Sequence, residues 1–129
     1  MKKVHPSGNK STEMKLIEYF SSNHITGWRR KYKVKGHPDF VFLDRKIAIF
    51  VDGCFWHGHE GCKDFVIPKS NTAFWLEKIG KNKERDARDE TALTSAGWKV
   101  ITIWECELKK TVIEETISAL FKTLAESRS

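Results

Sequence analysis

The sequence predicts an α/β fold, a mixed β-sheet flanked by helices, and three observations predict it. The runs Asp39–Leu43 and Ile47–Val51 are rich in aromatic and branched residues, and only Asp44-Arg45-Lys46 separates them. That is the pattern of a β-hairpin with a short polar turn. A similar run, Trp98–Trp104, returns much later, after a long polar stretch that suits a helix. Apolar residues at helical spacing precede the hairpin and follow the last strand, which places helices around the strands.

Taken in order, residues 1–10 read as a basic N-terminal arm and residues 11–129 as one domain. Met14, Leu16, Ile17, Tyr19 and Phe20 mark a helix from Ser11 to about Asn23, with Ser11 or Thr12 as its N-cap. Trp28–Val34 is a basic strand, and Gly36-His37-Pro38 a turn. The hairpin strands are apolar at successive positions, which predicts cover on both faces. A turn centred near Arg45 pairs residues whose numbers sum to about 90, so Asp39 falls beside Val51, with Asp52 one step further. Gly53–Lys69 is a loop. A helix from about Ala73 to Ala96 follows, capped by Thr72 and stopped by Gly97, and a last helix spans about Val112 to Glu126.

The chain has 129 residues with a net charge of +6, 40% hydrophobic and 31% charged, which suits one folded domain with a polyanionic partner. No stretch approaches the roughly 20 apolar residues of a membrane span. The first residues lack the apolar core of a secretory signal, so an intracellular, reducing compartment is expected. There, 3 Cys do not make a disulfide framework.

Cys54, His57, His59 and Cys62 lie within nine residues, and Cys106 follows the last strand. Three thiols and one imidazole make a tetrahedral zinc set. The same residues would also suit buried thiols and surface imidazoles. Either His57 or His59 can complete the set, and the other, next to carboxylates, becomes a candidate general base. Asp39, Asp52 and the Val51 carbonyl converge at one sheet edge, and such oxygens suit Mg²⁺; Asp39 after Pro38 would equally cap a turn. On the long helix, Trp75, Lys78, Asn82, Arg85, Asp86 and Asp89 share one face, which is a solvated face or a surface for base contact and stacking. Leu76, Ile79, Ala87 and Leu93 are expected to pack elsewhere.

Four ordered motifs carry a resemblance. They are Gly36-His37-Pro38-Asp39-Phe40, then Val51-Asp52-Gly53-Cys54-Phe55-Trp56-His57, then Phe74 to Asn82 with Glu84-Arg85-Asp86, and Gly97-Trp98-Lys99-Val100 with Trp104 to Leu108. Over roughly residues 10–108 the sequence resembles the very-short-patch repair endonucleases. The resemblance implies a restriction-endonuclease-like nuclease fold with a structural zinc, and Mg²⁺-dependent nicking of DNA 5′ to the T of a T·G mismatch. By that resemblance Asp39 and the Val51 carbonyl bind Mg²⁺, and the Asp52 carboxylate, which departs from the family, would add a metal ligand. His57 activates water with Asp86 as its partner, and Glu13 contacts water of the metal's shell. Zn²⁺ falls to Cys54, His59, Cys62 and Cys106. Phe55, Trp56 and Trp75 are aromatic wedges, and Lys78 and Asn82 read the mismatched bases. The implied partners are mismatched double-stranded DNA and other mismatch-repair proteins, in a bacterial cytoplasm.

Asp52 stands where the family can have His. The (Asp/Glu)-x-Lys pair of ordinary restriction enzymes is missing, because Cys54 follows Asp52 by two, and His57 takes the place of that Lys. Two further readings are a same-fold nuclease with another target, of the homing-endonuclease kind, and a non-catalytic zinc-stabilised DNA-binding module.

Overall fold

The computed structural model describes residues 10–30, 32–63 and 66–126, positions 10–12 as backbone only. The expected arm at 1–10 lies outside the described residues except for Lys10, which opens the first helix. The elements are α1 (Lys10–Ser22), β1 (Trp28–Arg30), β2 (Phe40–Phe42), β3 (Ile47–Asp52), α2 (Thr72–Ser95), β4 (Lys99–Trp104) and α3 (Ile113–Glu126). A 3₁₀ turn at Glu105–Leu108, which the sequence did not signal, joins β4 to α3.

The strands form one mixed sheet in the order β1-β2-β3-β4. β1 and β3 run antiparallel to β2, and β4 runs parallel to β3. In the hairpin Phe40 pairs with Ile49 and Phe42 with Ile47, so partner numbers sum to 89. The expected sum of about 90 is thus one residue off. Asp39 still reaches Val51, because its carboxylate accepts the Val51 N–H at 2.7 Å.

Alternation along β2 and β3 sends side chains to two faces. Phe40, Phe42, Ile47, Ile49 and Val51 meet Leu16 and Phe20 of α1 and Ile113, Ile117, Leu120 and Leu124 of α3. Val41 and Ala48 point the other way, to Leu93 of α2 with Phe50, Trp98 and Val100 packed around them. The sheet is therefore covered on both faces, as its continuous apolar runs require.

Three expectations are corrected. β1 is only three residues long, because it pairs with a three-residue β2 and the chain then turns, with Val34 N–H on the Tyr32 carbonyl and His37 N–H on the Val34 carbonyl. Thr72 is the first residue of α2 and not its cap. Asn71 takes the cap position in the left-handed region (φ 56°), and the Thr72 hydroxyl donates back to the Pro68 and Lys69 carbonyls. Leu76 and Ala87 are exposed, and the side of α2 turned to the sheet carries Ile79, Asn82 and Leu93. The face read as solvated is thus partly the packed one, because Asn82 is buried against the Trp56 carbonyl.

Candidate active site

The hairpin and the parallel β3–β4 pair bring four chain segments to one end of the sheet. β2 begins beside the point where β3 ends, and Asp52 pairs with Trp104 at the end of β4. Asp39, Asp52, the 53–63 loop and Cys106 are therefore neighbours, and the first turn of α1 adds Glu13.

Glu13 is buried at 4% exposure and accepts a 2.5 Å ion-paired hydrogen bond from Arg30 of β1. Burial pushes the Asp39 carboxyl up to about 7; the Val51 N–H opposes this, and neighbouring Glu13 and Asp52 add to it. Burial also pushes Asp52 up to about 6, against the pull of His57. A divalent cation among these groups would offset the crowding of negative charge, and an all-oxygen set matches Mg²⁺.

His57 is buried. Its Nδ1 lies 2.5 Å from the Asp86 carboxylate and 3.7 Å from that of Asp52. Ligand atoms of Asp52, His57 and Asp86 all lie within 4.8 Å of one another. A cleft of about 470 Å³ opens there, lined by Asp52, His57, Gly58, Lys83, Asp86 and Trp104 among others. A carboxylate on Nδ1 fixes the imidazole's orientation and tautomer, so Nε2 becomes the nitrogen that exchanges protons.

The loop between β3 and α2 is held tightly. Gly58 has φ +60°, and a Cβ there would lie 2.8 Å from Ile79 Cγ2 and 2.9 Å from Lys83 Cδ. Asn82 is buried and its amide donates to the Trp56 carbonyl at 2.8 Å. Lys78, one turn away on α2, is exposed. Phe55, Trp56 and Trp75 form an aromatic cluster with ring centroids 5.2 to 5.7 Å apart. Phe74, which the sequence reading did not single out, joins it at 5.0 Å from Trp75 and stands 56% exposed. A partly exposed aromatic cluster is what stacking on bases needs.

Behind the cleft, ligand atoms of Cys54, His59, Cys62 and Cys106 lie within 4.8 Å of one another. A tetrahedron of ligands about 2.3 Å from a zinc ion has edges of about 4 Å, so the group fits. His59 Nδ1 is 3.5 Å from Cys106 Sγ, and its ring lies parallel to Trp104, centroids 4.1 Å apart. Burial pushes the Cys54 thiol up to about 12, with Cys106 and Cys62 as neighbours. The geometry separates the two imidazoles, with His59 among the thiols and His57 among the carboxylates.

The family described as DNA mismatch endonuclease Vsr matches residues 1–64. The DNA mismatch endonuclease Vsr of Escherichia coli is 40% identical over 121 residues, covering 84% of this chain and 77% of that protein. The chain belongs to the Vsr family. It is also similar to a type II nicking enzyme of Neisseria meningitidis, 50% identical over 93 residues, which are 71% of this chain and 66% of the relative. A type II nicking enzyme of Xanthomonas oryzae is 47% identical over 88 residues, 66% of this chain and 64% of that protein. The chain thus spans just under two thirds of the length of these two nicking enzymes. Membership of the Vsr family places it among DNA endonucleases. No helix among the described residues is long and apolar enough to cross a membrane.

The parts that Arg30, Gly58 and Trp104 play around this candidate site were missed by sequence reasoning. Arg30 read only as part of a basic strand, and Trp104 as a strand end that opens one of the family motifs. Gly58 carried a usable signal, since a glycine beside a ligand-rich loop often marks a close approach.

Proposed function

We propose that the chain is a Mg²⁺-dependent DNA endonuclease with a restriction-endonuclease-like fold and a structural zinc, nicking one strand 5′ to the T of a T·G mismatch. What supports this reading is that Asp52, His57 and Asp86 meet in one cleft, with Asp39 in charge range of both Asp52 and Glu13 at the same end of the sheet.

Asp39, Asp52 and the Val51 carbonyl would hold Mg²⁺, which when bound neutralises charge on the phosphate under attack. Asp86 holds His57 through Nδ1 and stabilises the imidazolium, so Nε2 can take the proton of the attacking water. Glu13 completes the carboxylate cluster from α1. Cys54, His59, Cys62 and Cys106 would hold Zn²⁺. That ion would pin β4 to the loop that carries His57.

Phe55, Trp56 and Trp75 are proposed to enter the base stack beside the mismatch, where base pairing is weakest and unstacking least costly. Lys78 and Asn82 are proposed to read the mismatched bases. The hold of Asn82 on the Trp56 carbonyl ties that reading to the position of the wedge. Mismatched double-stranded DNA is the proposed partner, with other mismatch-repair proteins, in a bacterial cytoplasm.

The deciding experiment compares nicking of a T·G duplex and its T·A counterpart in Mg²⁺. Nicking of the T·G strand alone, 5′ to the T, is expected. Equal cleavage of both duplexes, or cleavage of neither, would overturn the mismatch assignment. His57→Ala should lower nicking by about 10²–10⁴-fold, the usual contribution of a positioned acid–base group, and Asp39→Ala, which removes a proposed metal ligand, should abolish it, each with zinc content unchanged.

A further inference from the structure

We infer that Arg30 is a positioning residue of the nuclease centre, its guanidinium holding the Glu13 carboxylate in place beside Asp39. The inference rests on the proposed reading of Glu13, Asp39 and Asp52 as the metal-binding edge.

Arg30 lies on β1 directly opposite Phe40, the residue after Asp39. Two contacts fix its guanidinium. Its carbon sits 5.7 Å from the Phe40 ring centroid, and Nη2 lies 2.5 Å from Glu13 Oε1. The Glu13 side chain is 5% exposed and that of Arg30 34% exposed. The pair therefore joins a buried acid to a partly wetted base.

Glu13 stands within hydrogen-bonding and charge range of Asp39, whose other support is the Val51 N–H. Three carboxylates, Glu13, Asp39 and Asp52, thus converge on one edge. Among the described residues Arg30 is the cation paired with Glu13. Without it, repulsion from Asp39 would drive Glu13 toward other rotamers. A planar guanidinium wedged between a ring and a carboxylate restricts that motion in a way a point charge on a flexible stem does not.

A basic residue in a DNA-binding protein has a simpler reading, that it contacts a phosphate. Neighbouring Arg29 pairs with Val41 and points to the opposite face; both arginines are exposed, so it is the Glu13 pairing that separates them. Arg30 is spent on Glu13. The two readings differ in what they predict, because a phosphate contact governs binding and its salt dependence, whereas a positioning residue governs the rate once DNA is bound.

The test uses the full chain with its metals and compares Arg30→Ala, Arg30→Lys, Glu13→Gln and the double variant. It measures single-turnover nicking of the T·G duplex at saturating protein, DNA Kd at several salt concentrations, and nitrogen-15 spectra of the guanidinium groups. Arg30→Ala should slow the bound-state rate by ~10-fold, a typical coupling within one polar network, with Kd unchanged. Arg30→Lys should fall between. The double variant should be no slower than Glu13→Gln. The Arg30 Nη2 protons should exchange slowly in the unmodified chain and quickly in Glu13→Gln.

An unchanged bound-state rate in Arg30→Ala, with the salt slope of Kd reduced by about one, makes Arg30 a phosphate contact and overturns the inference. Equal slowing by Arg30→Ala with and without Glu13 also overturns it. Should Arg30→Ala not fold, Arg30→Lys decides, and a wild-type rate there overturns the inference. If Glu13→Gln itself nicks at the wild-type rate, the proposed role of Glu13 falls too. A slow Glu13→Gln beside an unaffected Arg30→Ala sinks this inference alone.

Discussion

Asp39 and Asp52 are held in a chemically costly state, and their titration makes that visible. Burial pushes Asp39 up to about 7 and Asp52 to about 6, whereas in the unfolded chain both ionise near 3.8. Between those values the folded chain binds more protons than the unfolded one, so stability falls as pH rises from about 4 to about 7. In Mg²⁺-free buffer, Tm should therefore be higher at pH 5 than at pH 8, apart from the effects of other groups. Asp39→Asn should flatten the slope and stabilise the protein at pH 8 by about 1 kcal/mol or more. Mg²⁺ should raise Tm most above pH 7, where both carboxyls are ionised, because a ligand of the folded state stabilises it in proportion to binding. A Tm that rises steadily from pH 5 to pH 8 without Mg²⁺ would contradict the assignment. At the same scale, Asp86→Asn should lower nicking by about 10²-fold or more with DNA affinity unchanged, since it leaves His57 present without its carboxylate.

The 53–63 loop and α2 act as a unit. Gly58 meets Ile79 and Lys83 so closely that an added methyl must push the loop off the helix, in a conformation that disfavours any Cβ. Gly58→Ala should cost about 1–3 kcal/mol in Tm or denaturant midpoint and slow nicking as well, because His57 is the preceding residue. Asn82→Ala removes the donor to the Trp56 carbonyl and should cost about 1–3 kcal/mol. It should also weaken the preference for mismatched duplex, measured as the ratio of nicking rates. The helix shows how far sequence pattern carries. Its extent and the Gly97 stop were legible, because helical period and a terminal glycine are local properties. Its packed side was legible only in part, since Ile79 and Leu93 pack as expected. Leu76 and Ala87 looked suited to a core yet stand in solvent, while Asn82 is buried. Which face of a helix meets a sheet depends on how the helix crosses it, and periodicity does not report that.

At the scale of the whole molecule, the cysteine–histidine group ties together segments far apart in sequence. Cys54, His59 and Cys62 come from one loop, and Cys106 from the turn after β4. A structural ion there should contribute directly to folding. Chelating it, or replacing Cys106 with Ser, should lower Tm and release the metal, followed by atomic absorption and thermal scans. An unchanged Tm after complete metal loss would remove the ion from the fold's support. The stacking of His59 on Trp104 extends this link to the end of β4.

What the sequence by itself determined is whatever depends on neighbours along the chain. It determined the hairpin, the later strand from Trp98 to Trp104, the helices around the strands, and the cluster of Cys and His residues around one loop. The motifs from Gly36 to Leu108 also carried the family resemblance, and with it the expected roles of His57 and His59. Tertiary structure decided what depends on distance across the fold. It set the hairpin register one residue from the expected one and put His59 with the thiols and His57 with Asp86. It also joined Glu13 of α1 to Arg30 of β1. The physical reason is that propensity, period and turn chemistry act over a few residues, whereas charge pairing and metal geometry act through space. Two residues seventeen positions apart, such as Glu13 and Arg30, are brought together by the packing of α1 against β1 and not by their local sequence.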